Sequence, residues 1–378
     1  MKVYIKDYYQ TRFGELWERS LTDLIFEVAT RLLDNNGLSV KDISAVFLGN
    51  MLSGVLDKNL LLSAKINEVL GNIGLPVVRS EAACASGSVA LYNAVNFLKS
   101  EQGRYVLVLG VEKMTDFSVD EVTTALSVAL SGSEQMSGLT FPGVYALMAR
   151  LYLDKYNYTE EDLAKVAVIN HFWGSLNPKA QFRNRITIAD VLNSAYVADP
   201  LKVYDCSPIS DGCAGVLLTT EQSQVEIASC CVATDSLAIT ERKDLLKLQS
   251  VVRSGQQALE KAGIDLDDID LLEVHDCFTI AELLVLESLG VCSQGTAVEF
   301  VSKFNQDNPF ELKPVVNTSG GLKSSGHPVG ATGVKQIGEI FLQLTNQAGE
   351  RQIDNAKVGL AQNTAGSGGL SVVTILKK

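Results

Sequence analysis

Apolar residues in "VVRSGQQALEKAGIDLDDIDLLEVHD", residues 251 to 276, recur at a helical interval and then close up in LLEV. The pattern predicts an amphipathic helix stopped at Gly263, a short helical cap over the DDI residues, and a buried strand ending in a polar dipeptide. Residues 25 to 50, "IFEVATRLLDNNGLSVKDISAVFLGN", lie over that segment without a gap. Gly37 then matches Gly263, Asp42 matches Asp268 and Ile43 matches Ile269, and the apolar positions between them fall in step. A second pair follows, "PVVRSEAACASGSVALYNAVNFL" from Pro76 and "PVVNTSGGLKSSGHPVGATGVKQIGEIFL" from Pro314. Both predict a strand, a Gly/Ser-rich loop and a helix. Any α/β chain repeats helix, loop and strand, but an ungapped match of 26 residues favours duplication.

Between the halves, about residues 117 to 205, the pattern changes. "FPGVYALMARLYLDKYNYTEEDLAKVAVINHFWGSLNPKAQFRNR" is helical by periodicity and gathers aromatic and basic residues. It reads as an insertion in the first half, a lid or ligand platform. The expected organisation is an N-terminal half over 1–225, which includes this insertion, and a C-terminal half over 226–378. Two βα halves packed face to face bury two central sheets under helices.

Composition narrows the function. The chain has 378 residues, 46% hydrophobic, which is ample for a large core. A net charge of −12 argues against a nucleic-acid or anionic-membrane surface. The start, "MKVYIKDYYQTRFGE", has no signal-peptide core, and no apolar run approaches the ~18 residues of a membrane span, so a cytoplasmic protein is expected. The cysteines are odd in number, with no Cys-x-x-Cys pair, which points to reduced thiols rather than a disulfide framework or a zinc site.

Four titratable side chains stand out. Cys84, in "SEAACASGSVALYNAVNFL", lies among small residues at the start of a periodic helix, where the helix dipole and free N–H groups are expected to lower its pKa from ~8.5. Those N–H groups can also receive a developing oxyanion. A buried, inert thiol competes with this reading on the segment alone. His327, in "GGLKSSGHPVGATGVKQ", sits at the matching turn of the second half, where a pseudo-twofold axis brings it towards Cys84. A neutral imidazole there can take the thiol's proton. The segment lacks both the Lys-Ser/Thr ending of a P-loop and a G-x-G-x-x-G fingerprint. In "EVHDCFT", His275 ends a predicted strand and Cys277 follows in the turn, on the same side if the halves are duplicates. One thiol can then carry an acyl group while the other moves a proton, as carbon–carbon bond-forming acyl transfer requires. His171, in the insertion, reads as structural.

In this order and spacing, "EAACASG", "GVEKMTD", "SPISDGCAG" and "GHPVGATG" resemble the motifs of the thiolase superfamily, and the resemblance runs from end to end. It implies an α/β thiolase fold, five-layered αβαβα from two βαβαβαββ halves with a mainly helical inserted loop domain, coenzyme A thioester substrates and dimeric or tetrameric assembly. The chain departs from the best-known thiolases at two places. Their Asn-Glu-Ala-Phe block is here His275-Asp276-Cys277-Phe278, and where they carry a C-terminal Cys-x-Gly this chain has Thr364 followed by Gly366. That exchange resembles the sterol-carrier-protein-like thiolases and archaeal-type acetyl-CoA acetyltransferases, as do "FGELWERS", "CASGS", "VEKMTD" and "AQF".

The resemblance implies that Cys84 becomes S-acetylated with help from His327, and that Cys277 removes an α-proton from a second acetyl-CoA to give acetoacetyl-CoA. His275 and His327 would polarise the thioester oxygen, while backbone N–H groups at Cys84 and Gly366 form the other oxyanion hole. Phe278 would bind substrate, and Lys179, Arg183 and Arg185 could meet the CoA phosphates, unless they form only a solvated basic face. No metal and no redox cofactor are expected. Acetoacetyl-CoA would feed mevalonate-type isoprenoid synthesis. Possible partners are hydroxymethylglutaryl-CoA synthase and a small OB-fold zinc-ribbon protein. The rival readings are acyl transfer to a non-CoA carbon acceptor, degradative 3-ketoacyl-CoA cleavage, and an acyl-channelling subunit of a complex.

Overall fold

The structure is a computed structural model and describes residues 1–72 and 74–378. Its strands are β1 (Tyr4–Gln10), β2 (Ala45–Gly49), β3 (Val77–Ser80), β4 (Tyr105–Glu112), β5 (Tyr196–Ala198), β6 (Leu201–Lys202), β7 (Gly212–Thr219), β8 (Val225–Thr234), β9 (Leu271–Glu273), β10 (Val315–Val316), β11 (Val358–Ala365) and β12 (Leu370–Lys377). In the first half the order is β3-β2-β4-β7-β1, and in the second β10-β9-β11-β12-β8. The first three strands of each series are parallel and the last two antiparallel. The halves thus repeat one another strand for strand. They are not two separate sheets as expected: β1 pairs β8 at Tyr4–Glu226 and Ile5–Val225, which joins them into one ten-stranded sheet.

The repeated pattern lies on equivalent elements. Helices Leu21–Asn35 and Gln249–Ala262 end ahead of Gly37 and Gly263, which both adopt φ +62°, a left-handed conformation glycine enters without the Cβ penalty. The matched Asp42 and Asp268 cap the short 3₁₀ turns Val40–Asp42 and Leu266–Asp268, each closing a capping box back to the residue before the turn. β2 and β9 follow.

Five layers result. Helices Leu21–Asn35 and Leu62–Val69 cover the outer face of the first half, where Leu24, Ile25, Val28 and Leu32 pack with Val46, Leu48, Leu107 and Leu109. Each such burial contributes about 1.5–3 kcal/mol. Helices Gln249–Ala262 and Thr279–Leu289 pack together over the outer face of the second half. Between them lie Ser86–Lys99 and Thr332–Leu344, which pack on each other and reach strands of both halves. Buried apolar groups from both halves form a continuous core around this middle layer.

The segment between β4 and β7 forms the helices Val119–Ser127, Gly132–Met136, Phe141–Tyr156, Glu160–Leu176 and Ile188–Leu192 and the β5–β6 hairpin. Among the described residues no helix is long and apolar enough to cross a membrane. At the end of β4 the backbone meets the glycine-rich segment of the second half: a Cβ on Gly110 would lie 2.4 Å from the Gly330 carbonyl oxygen. This close approach places the strand ends of one half against the loop of the other.

Candidate active site

Cys84 closes a tight turn between β3 and helix Ser86–Lys99. Ala83 takes φ +46°, which costs an L-residue about 1–2 kcal/mol. Local bonds hold the turn. The Ala83 N–H donates to Glu81 Oε1 at 2.7 Å, the Ala82 N–H to Ser86 Oγ at 2.9 Å, and Ser86 Oγ donates to the Ala83 carbonyl at 2.6 Å.

Across the pseudo-equivalent position, His327 hangs in the loop between β10 and helix Thr332–Leu344. Its Nδ1 lies 2.7 Å from Thr332 Oγ1, and that hydroxyl donates to the Pro328 carbonyl at 3.1 Å. With its one proton committed, the hydroxyl accepts from Nδ1–H, which leaves Nε2 of His327 as a proton acceptor.

His275 is set the opposite way. Ser88 Oγ donates to Asn363 Oδ1 at 3.0 Å, so the amide turns its Nδ2 towards His275 Nδ1, 3.0 Å away. Nδ1 accepts, and the proton resides on Nε2, which is buried and has no hydrogen-bond partner. Two neutral imidazoles thus face the same space, one offering a lone pair and the other an N–H. Their ring centroids are 5.3 Å apart, and Cys84 Sγ and a nitrogen of each ring lie within 4.8 Å of one another. This is the one grouping among the described residues with a spacing that could hold a metal ion.

Cys277 follows β9, ahead of helix Thr279–Leu289. Its carbonyl accepts the Ser207 N–H at 2.9 Å. Cys84, Cys277, Phe278, His327 and Gly366 line one cavity of ≈ 200 Å³, with Met114, Phe141, Tyr145 and Ile209 supplying much of its apolar wall. The exposed Val119 and Val197 also line it, so the inserted unit frames the mouth. Gly366, at φ +58°, points its N–H at the Cys84 sulfur. Thr364 is buried on β11, its hydroxyl accepting from Gln362 at 2.7 Å.

Burial sets the charge states. It pushes the Cys84 thiol up to about 12, against the lowering effect of the Gly366 N–H. The expected activation by the helix dipole is therefore overturned: helix Ser86–Lys99 begins two residues later, and desolvation outweighs the N–H groups. Burial also raises Cys277 well above its ordinary value, lowers His275 to about 3, and lowers His327 well below its usual range. The resting site is neutral throughout.

Lys179, Arg183 and Arg185 are not brought to this cavity. Lys179 and Arg183 line a separate cleft of ≈ 490 Å³ beside Tyr8, Glu339 and Arg351, and Arg185 lies 4.6 Å over the Phe172 ring. His171 also stands apart, its Nδ1 3.0 Å from the Asn184 carbonyl oxygen and its ring packed by Phe182 and Tyr204.

Sequence reasoning passed over Thr332, Asn363, Tyr145 and the buried carboxylates that hold the His327 loop. Asp276 Oδ1 accepts the Leu322 N–H at 2.7 Å, and its Oδ2 accepts the Lys323 N–H at 3.1 Å and Asn170 Nδ2 at 2.9 Å. Glu112, which burial pushes up to about 7, accepts the N–H groups of Met51, Leu52 and Gly330. Thr332 bonds His327 within the same quoted motif, but which ring nitrogen it meets depends on the fold of the loop, and the partners of Asn363, Ser88 and His275, come from distant segments that spacing does not reveal.

Family models match the chain along nearly its whole length, "Thiolase, N-terminal domain" over residues 3–222 and "Thiolase C-terminal domain-like" over 231–378. The chain belongs to the thiolase family, and it is an acyltransferase enzyme. It is 39% identical over 381 residues to a protein of Methanothermobacter thermautotrophicus named acetyl-CoA acetyltransferase, covering 98% of this chain and 97% of that one. A Methanocaldococcus jannaschii protein of the same name is 39% identical, with 99% and 98% covered. Human sterol carrier protein 2 is 36% identical over 82% of this chain and 59% of its own. Solved structures share the fold: the Ltp2-ChsH2(DUF35) aldolase has a TM-score of 0.82 at 21% identity, with 99% and 97% of the chains covered. Human mitochondrial 3-ketoacyl-CoA thiolase in complex with CoA has 0.75 at 19%, with 100% and 98% covered.

Proposed function

We propose that the enzyme condenses two molecules of acetyl-CoA to acetoacetyl-CoA and CoA through an S-acetylated Cys84. The observation that carries this reading is the pair of thiols, Cys84 and Cys277, lining one largely apolar cavity, with a ring nitrogen of His327 within 4.8 Å of the first. Two relatives named acetyl-CoA acetyltransferase, similar over almost their full length, support the choice of substrate.

In this mechanism Cys84 gives its proton to His327 Nε2 as its sulfur attacks the acetyl carbonyl. The N–H groups of Cys84 and Gly366 meet the oxyanion that develops. CoA leaves and takes a proton from Cys277, whose thiolate then removes an α-proton from the second acetyl-CoA. The N–H of His275 Nε2 and protonated His327 stabilise the resulting enolate oxygen. Its carbon attacks the acetyl group, and the departing Cys84 sulfur recovers its proton from His327. Protons balance over the cycle, and the chain's own groups suffice for every transfer.

Intact-protein mass after mixing with acetyl-CoA tests the division of labour. Wild type and Cys277→Ala are expected to gain one acetyl group and Cys84→Ala none, with acetoacetyl-CoA formed by wild type alone. Condensation at the wild-type rate by Cys277→Ala would remove Cys277 from the acid/base role. Consumption of the product by hydroxymethylglutaryl-CoA synthase towards mevalonate, and assembly with that enzyme through an OB-fold zinc-ribbon protein, form part of the same proposal. Co-purification from cells with untagged neighbours tests the assembly, and a fully active isolated homo-oligomer counts against an obligate complex.

A further inference from the structure

Tyr145 stands at the junction of the two thiols and has no role in the steps above. It lies in the first turns of helix Phe141–Tyr156, which Thr140 caps through the Gly143 N–H. Its side chain is buried, with 1% exposed. The ring packs on Phe278, the residue after Cys277, with centroids 4.7 Å apart. The hydroxyl donates to the Gly366 carbonyl oxygen at 3.0 Å, and Tyr145 lines the same cavity as the Cys277 thiol.

A phenol has one proton to donate. While that proton is held by Gly366, the hydroxyl has only lone pairs to offer the rest of the cavity. Once Cys277 has given its proton to the departing CoA, the sulfur becomes an anion in an apolar cavity and needs a donor. We propose that the Tyr145 hydroxyl then turns from the Gly366 carbonyl to the Cys277 sulfur, making Tyr145 a positioning residue that stabilises the Cys277 thiolate between the two half-reactions. No covalent bond changes: the O–H stays intact and only its acceptor differs. A phenylalanine would fill the same space beside Phe278, so packing alone does not call for a hydroxyl here.

The inference rests on the reading that Cys277 moves the α-proton. Its test therefore separates the half-reactions in the full-length enzyme: S-acetylation of Cys84 by mass, and exchange of the acetyl-CoA methyl protons for solvent deuterium by NMR, across pH. Tyr145→Phe is expected to slow the exchange roughly 10- to 100-fold, the worth of a hydrogen bond to a charged group. S-acetylation should stay within about twofold, and the exchange profile should move to higher pH. Fluorotyrosine at position 145, a stronger donor, should move that profile to lower pH. An equal fall in both half-reactions would leave Tyr145 only as an anchor of Gly366 and overturn the proposal, as would unchanged exchange. Cys277→Ala tells the failures apart. Exchange that survives in Cys277→Ala overturns the role of Cys277 itself; exchange lost in Cys277→Ala but intact in Tyr145→Phe overturns only the role of Tyr145.

Discussion

The turn that carries Cys84 and the loop that carries His327 occupy equivalent places in the two halves, after β3 and after β10, yet they are held by different means. The first is short and satisfies itself, with Glu81 and Ser86 bonding the backbone of Ala82 and Ala83. The second is long and is pinned from outside. Glu273 takes the N–H and hydroxyl of Ser319, Asp276 the N–H groups of Leu322 and Lys323, Ser210 that of His327, and Glu112 that of Gly330. Duplication supplied one architecture twice. The nucleophile was then placed by local geometry, and the base by buried acceptors from both halves. A thiol needs only a tight turn to be presented, whereas an imidazole must be fixed in both position and tautomer.

The largest expected effect comes from removing the base. His327→Ala should slow S-acetylation of Cys84 by roughly 10²- to 10⁴-fold, measured by quenched-flow mass spectrometry. A rate near wild type would mean that the loop does not serve the turn. Next, the two anchoring modes differ in stability. A Cβ on Gly321, at φ +60°, would lie 2.1 Å from Asp276 Oδ2, so Gly321→Ala should cost about 2–4 kcal/mol in urea unfolding. Ser86→Ala, which removes two local hydrogen bonds, should cost about 1–2 kcal/mol, and the reverse order would break the contrast. Asn363→Leu removes the donor that keeps His275 Nδ1 unprotonated, and should lower condensation about 10-fold with S-acetylation less affected.

The finest test lies outside both loops. Burial lowers His171 to about 4, so between pH 4 and its unfolded value near 6.5 the unfolded chain binds more protons than the folded one. Its contribution to stability therefore rises with pH through that window and is complete above it. His171→Gln should reduce the slope of unfolding free energy against pH there by up to about 1.4 kcal/mol per pH unit. An unchanged slope would mean that His171 titrates in the folded state much as it does in the unfolded one.

Legibility followed the range of the forces involved. The duplication could be read because helix, glycine stop, capped turn and strand each depend on neighbours in sequence, and Gly37 and Gly263 then adopted the same φ. The four residues Cys84, His275, Cys277 and His327 could be singled out because scarce titratable groups stood at loop positions of the repeat. The protonation state of Cys84 could not, since the helix-dipole argument took no account of desolvation. Lys179, Arg183 and Arg185 gathered attention as a basic cluster, but charge along a chain says nothing of which cleft it faces.

The sequence by itself determined the periodic elements, their repetition and the identity of the chemically capable side chains, because propensity, capping and turn conformation act over a few residues. Only the tertiary structure decided that β1 and β8 fuse the halves into one sheet, that Thr332 and Asn363 set opposite tautomers on the two imidazoles, and that Tyr145 stands between Cys277 and Gly366. Apart from the local bond between Thr332 and His327, those outcomes depend on burial and on hydrogen bonds between residues far apart in the chain, and both come into being only when the halves pack.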